Sequence, residues 1–155
     1  MNNKQITLIV CAAGSLLLAA CAPVRPAAPP HHPAYLHALS DLRAARWNLE
    51  HRPGDAAVSG AEDVAITEID RAIQEARRAA AEDGQNPNYR PPTDAVITRP
   101  GRLHQADQLL RRAHDDIARE EDFPDTRQIR NEVIAHIDAA IRATDRAIRD
   151  VEMRR

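Results

Sequence analysis

Aromatic residues are scarce: one Trp, two Tyr and one Phe among 155 residues. A core must therefore be built from Ile, Leu, Val and Ala. Lysine is nearly missing, since Lys4 is the only one, and the 21 Lys+Arg are matched by 23 Asp+Glu. A formal charge of −2 lacks the basic excess expected of a nucleic-acid binder. Cysteine occurs only at positions 11 and 21. There is no glycine-rich phosphate loop, nucleophile elbow or His-Glu-x-x-His. Cys-x-x-Cys-His is absent, which excludes covalent haem, and no Glu-x-x-His pair supplies a di-iron pattern. No enzyme is expected. After Ala20 no apolar run approaches the about 20 residues that a membrane helix needs.

What is present begins with an address. In residues 1–20, MNNKQITLIVCAAGSLLLAA, Lys4 precedes an apolar run from Ile6 to Ala20. These are the n-region and h-region of a secretory signal peptide. The next residues, Leu18-Ala19-Ala20-Cys21, match a lipobox, and in them the chain resembles the bacterial lipoproteins. That resemblance implies cleavage between Ala20 and Cys21, a diacylglycerol on the Cys21 thiol and an acyl chain on its freed amine. Cys11 follows the bulky Val10 and is expected to leave with the signal. Cys21 is then the only cysteine left, and a disulfide or cysteine–metal site is excluded in the mature monomer. Cleavage removes Lys4 and no acid, taking the charge from −2 to −3. Residue 22 is Ala rather than Asp, which in Gram-negative lipoproteins implies release to the outer membrane. Each acyl chain contributes about 0.8 kcal/mol per buried CH₂, and two or more chains anchor stably.

Residues 21–33 form a lipidated cysteine and a proline-rich linker, with prolines at 23, 26, 29, 30 and 33. Extended polyproline II at about 3.1 Å per residue would hold a domain roughly 35–40 Å from the lipid. His31 and His32 are read as solvated linker residues.

From residue 34 to 155 the periodicity is helical, and the expected fold is all-α: a four-helix bundle built from two tandem, duplicated hairpins. Helix 1 spans about 34–51 on Tyr35, Leu39, Leu42, Ala45 and Leu49. Pro53-Gly54-Asp55 stops it. Helix 2 spans about 60–83 on Ile66, Ile69, Ile73, Ala76 and Ala80. A Ser59/Glu62 capping box precedes it and Gly84 follows as C′ residue. Helix 3 spans about 101–121 on Leu103, Ala106, Leu110, Ala113 and Ile117. Helix 4 spans about 126–152 on Val133, Ile137, Ala140, Ile141, Thr144, Ile148 and Val151, after Pro124 and an Asp125/Gln128 capping spacing. The patch Ala95-Val96-Ile97 is too short for a strand.

The sequence repeats. Ile66–Ile73 aligns with Ile134–Ile141 at an offset of 68, and Arg78-Ala79 falls on Arg146-Ala147. Leu36-His37 and Leu42 align with Leu103-His104 and Leu109 at an offset of 67. Hairpins of about 34–84 and 101–152 would be copies of one unit, neither able to bury its stripe alone. Residues 85–100 are long for a bundle connection. They are read first as a crossover and second as a binding loop presenting Tyr89 and Arg90.

Candidate chemistry is sparse. His37 and His104 lie opposite their stripes and are expected to face water. His114 and His136 lie on stripe flanks, and Glu68 is the repeat equivalent of His136, so these three are the metal candidates. Asp70 and Asp138 recur beside the stripe. They are read as salt-bridge partners of an arginine such as Arg43 or Arg111 rather than as an acid–base pair. Trp47, at a bundle edge, is either packing or an interaction anchor. Arg77-Arg78, Arg111-Arg112 and Arg154-Arg155 belong to a mixed, solvated surface.

Beyond the lipobox the domain is similar to small, uncharacterised all-helical exported proteins of proteobacteria, a likeness that transfers no functional residue. The expected function is a non-enzymatic envelope lipoprotein. It has no cofactor beyond the acyl chains on Cys21, is anchored in the outer membrane facing the periplasm, and binds an envelope protein. The alternative is a bundle that binds a metal or small ligand through His114/His136-type positions.

Overall fold

The computed structural model describes residues 33–51, 60–92, 101–120 and 127–154. The signal peptide, Cys21, His31, His32, the Pro53-Gly54-Asp55 stop, Ser59, the 95–97 patch, Pro124 and Asp125 lie outside the described residues. Four helices account for most of the rest: α1 (Ala34–Glu50), α2 (Gly60–Glu82), α3 (Arg102–Ala118) and α4 (Arg127–Glu152). They form a four-helix bundle, and among the described residues there is no strand.

Local chemistry explains the ends. Pro33 caps α1 with φ −68°, close to the helical value, and its carbonyl accepts from the N–H groups of Leu36 and His37. A proline here loses no helical hydrogen bond. At the end of α2, Gly84 has φ +71°. Its N–H donates to the Ala81 carbonyl and the Gln85 N–H to that of Ala80, the two bonds of a Schellman cap. Gly101, at φ +94°, leads into α3. That helix ends earlier than the periodicity predicts, at Ala118 rather than about 121.

Helix directions follow from named contacts. Arg102 at the start of α3 donates to the carbonyls of Asn48 and Leu49 at the end of α1, and Arg112, ten residues on, lies beside Asp41, nearer the start of α1. So α3 runs antiparallel to α1 and parallel to α2. Helix α4 returns along α3, with Arg111 near Asp145 and His114 near Asp138. Around the bundle the order is α1, α2, α4, α3. The broadest contact is α2 with α4, followed by α1 with α3, and the pairs α1/α4 and α2/α3 are diagonal.

This order requires the long connection. Because α3 starts at the opposite end from where α2 stops, the chain must travel a helix length of about 26 Å between them. The crossover reading of 85–100 is therefore the structural one for its described part, 85–92. That part lies against α1: Gln85 is buried, Ser40 Oγ donates to the Pro91 carbonyl and Arg43 Nη2 to that of Pro87. Covered by α2, α3 and the crossover, α1 is buried continuously from Ala38 to Leu42, Ser40 and Asp41 included.

The core combines the large residues Tyr35, Leu39, Leu42, Leu49, Ile69, Leu109, Leu110, Ile117, Val133 and Ile137 with alanines from all four helices. Helix α2 buries Ala65, Ile69, Ala72, Ala76 and Ala79, and α4 buries Ile129, Val133, Ile137, Ala140, Ala143, Thr144 and Ala147. Because the two helices run antiparallel through Glu68 and His136, Ala72 and Ala76 lie level with Val133 and Ile129, and Ala65 with Ala140. Ile66, Ile73, Ile141 and Ile148, expected on the buried stripe, are only partly buried, and Val151 is exposed. Thr144 Oγ1 satisfies itself by donating to the Ala140 carbonyl.

Burial also sets the register of the repeat. At an offset of 68, Tyr35, Ala38, Leu39, Asp41, Leu42, Ala45 and Leu49 fall on Leu103, Ala106, Asp107, Leu109, Leu110, Ala113 and Ile117, all buried. Ala65, Ile69, Ala72, Ala76 and Ala79 fall in the same way on Val133, Ile137, Ala140, Thr144 and Ala147. One offset serves both hairpins. The Leu-His alignment at 67 places α3 one residue, about 100°, out of register. His37 and His104 are thus not structural equivalents, and both are partly buried rather than facing water.

Candidate functional site

The three metal candidates do not converge. His136 on α4 reaches across to α2, its Nδ1 2.7 Å from Glu68 Oε2. The other Glu68 oxygen accepts from Arg71 at 2.6 Å. His114 on α3 sits elsewhere, 3.7 Å from Asp138 and 3.4 Å from Asp115. Among the described residues no group of three or more His, Cys, Asp or Glu is placed to hold a metal ion. With Glu68 shared between a histidine and an arginine, the pair acts as a polar clamp between hairpins.

His114 lines an open groove of about 470 Å³ between α3 and α4, together with Arg111, Asp115, Asp138, Ile141 and Arg142. Its charges alternate in sign. Arg111 is held by Asp107, both of whose oxygens accept from Nε at 3.0 Å, and by Asp145 at 3.4 Å. These carboxylates, the Asp107 hydrogen bond foremost, raise the Arg111 pKa above its ordinary value.

Asp70 and Asp138 are salt-bridge residues, but not with the arginines expected. Asp70 accepts from Arg46 Nε at 2.6 Å, and that hydrogen bond raises the Arg46 pKa. Asp138 faces His114, which occupies Arg46's place in the second copy. Arg43 lies about one turn too early to reach Asp70, and Arg111 is taken by Asp107 and Asp145. As Asp70 faces α1 and Asp138 faces α3, the two carboxylates do not form an acid–base pair.

Two buried carboxylates have arginine partners that the sequence does not single out, one of them Glu62, read there as a capping-box residue. Glu62, 3% exposed, accepts from Arg102 Nη2 at 3.0 and 3.1 Å. Asp41, 1% exposed, lies 3.4 Å from Arg112 Nε. An acid near an apolar stripe with an arginine on a later helix is the only available signal, and this chain repeats it too often for it to discriminate.

The interaction candidates are on the surface. Trp47 is 57% exposed, so it is not a packing residue, and its ring stacks on His51 at 4.3 Å and 19°. Tyr89 is 56% exposed, and Arg90 beside it is exposed. Near Arg90, Arg43 combines with Arg77, whose Nη2 donates to Asn88 Oδ1 at 3.2 Å. Burial first, then the charges of Arg90 and Arg77, lower the Arg43 pKa. The sequence reading gave Arg90 an interaction role, Arg43 a salt bridge and Arg77 a place on the solvated surface, and did not join the three.

Compared with known proteins, the chain matches no family model, and no curated protein or solved structure shows significant similarity to it.

Proposed function

We propose that this chain is a non-enzymatic envelope lipoprotein, lipid-anchored in the outer membrane and facing the periplasm. A four-helix domain, held off the lipid by a proline-rich stem, binds another envelope protein. One observation carries the reading: Leu18-Ala19-Ala20-Cys21 ends an apolar run that a positive residue precedes. Three features support it. No helix among the described residues is long and apolar enough to cross a membrane, so on this reading the acyl chains do the anchoring. The helical domain starts at Ala34, directly after the last stem proline. An exposed Trp47 stacked on His51, with Tyr89 on the crossover, supplies the kind of aromatic anchors that interfaces favour.

Expression of the full chain and of Cys21→Ser in a Gram-negative host, with acyl labelling and gel mobility as readouts, tests the anchor. The wild type should yield a shortened, acylated product and the variant an uncleaved, unlabelled precursor, because a serine hydroxyl is a poor nucleophile for diacylglycerol transfer. A shortened, acylated serine variant would overturn the reading. For the partner, crosslinking of the wild type in intact cells followed by pull-down should recover one envelope protein repeatedly. Repeated recovery of none overturns that half.

A further inference from the structure

The repeat exposes a missing pair of charges. Arg43 and Arg111 are the same residue at equivalent positions in the two copies, 68 apart. In the second copy Arg111 is neutralised by Asp107 and Asp145. The equivalents in the first copy are Leu39 and Arg77. One carboxylate has become a buried leucine and the other a second cation. The crossover then adds a third, Arg90, and no acid replaces those lost: among the described residues Arg43, Arg77 and Arg90 make no ion pair. Arg43 donates Nη2 to the Pro87 carbonyl, while its buried Nη1 has no acceptor.

Burial distinguishes Arg43: Arg127, Arg142, Arg146 and Arg149 also make no ion pair among the described residues, but they are exposed. Arg46, Arg71, Arg78, Arg102, Arg111, Arg112 and Arg119 each have a carboxylate partner. A buried guanidinium donor without an acceptor is costly, and like charges around it add to the cost. The direction in which Arg43 is shifted agrees: burial and its two cationic neighbours disfavour its charged form. The crossover nonetheless organises the group, with the Pro87 carbonyl taking Arg43 and the Asn88 side chain taking Arg77. Guanidinium groups are planar forks suited to oxyanions, and charge-assisted bonds of this type are short and strong.

We propose that Arg43, Arg77 and Arg90 form a binding site for an external oxyanion, a phosphate-type or carboxylate group that takes the place of the two missing aspartates. Arg77 and Arg90 are exposed and form the entrance, and Arg43 forms the floor. A free anion and a lipid headgroup present the same chemistry, and the experiment separates them.

The full chain in neutral detergent is titrated with inorganic phosphate, and separately with acetate, at constant ionic strength set by chloride. Its thermal midpoint is followed by circular dichroism. A ligand that binds only the folded state raises the midpoint saturably. For the headgroup, the same chain is placed in phosphatidylcholine vesicles with and without phosphatidylglycerol. Arg77→Asp restores the second copy's carboxylate and is the decisive variant. It should melt higher than wild type without added anion and bind phosphate at least about tenfold more weakly, one carboxylate turning attraction into repulsion at the entrance. Arg90→Gln should weaken binding with the fold retained, and Arg142→Asp, on α4, should leave it unchanged. A response to free anion, or to phosphatidylglycerol alone, supports the site and names its source. Absence of any saturable response in every arm overturns it, as does an undiminished response in Arg77→Asp.

Discussion

Glu68 and His136, in contact at 2.7 Å, are 68 residues apart, the offset of the internal repeat itself. Each occupies the same position in its own copy. Two equivalent residues can touch only near the axis relating the copies, so this contact marks the line about which the hairpins pair. Its energy should be visible in a double-mutant cycle. Glu68→Ala and His136→Ala should each destabilise the full chain by about 1 kcal/mol, with a coupling of about 0.5–1 kcal/mol. Urea unfolding followed at 222 nm measures this, and strictly additive effects would show that the contact carries no energy.

The fully buried alanines predict intolerance to bulk. Ala76 on α2 has no exposed surface. Ala76→Leu should cost about 1–3 kcal/mol by overpacking the core. Ile66→Leu, at a partly buried position, should cost less than about 1.5 kcal/mol. Equal losses at both positions in thermal or urea unfolding would contradict this difference in packing.

Burial separates two arginine pairs. Arg102 serves Glu62, whose side chain is 4% exposed, and also caps the end of α1. Arg102→Met removes the charged partner of that buried carboxylate and should cost about 3 kcal/mol. Arg46→Met breaks the pair with Asp70, 45% exposed, and should cost no more than about 1 kcal/mol. Denaturant midpoints of the two variants, compared at equal m-value, decide the order.

Trp47 is predicted to matter for binding and not for stability. Its ring touches His51 and lies outside the core. Trp47→Ala should therefore change stability by no more than about 0.5 kcal/mol. In crosslinked cells it should lower capture of the partner severalfold. A large loss of stability with unchanged capture would assign the ring to packing instead.

Periodicity and punctuation along the chain specified the four helices, most of their ends and part of each buried stripe. A 3.6-residue repeat of apolar residues and a cap such as Pro33 or Gly84 act within a turn or two, so they are legible in a linear sequence. The flanking positions of His114 and His136 were legible for the same reason. The lipobox reading, too, is linear, and it belongs to residues outside those described.

Other features exist only once the helices are placed. That Ile69 and Ile137 are fully buried while Ile66 and Ile141 stay at the edge depends on how each helix is rotated against its neighbours, which no helix encodes alone. That Asp70 meets Arg46 rather than Arg43, and that Glu68 meets His136 while His114 stands apart, depends on axial registry between helices. The register of 68 over 67 was settled by burial, because a one-residue shift turns a helix face by about 100° and no local signal opposes it. The arginine group at Arg43 came from the crossover, whose path is fixed by α3 running parallel to α2. Charges far apart in the chain are brought together by topology, and only the packed bundle has one.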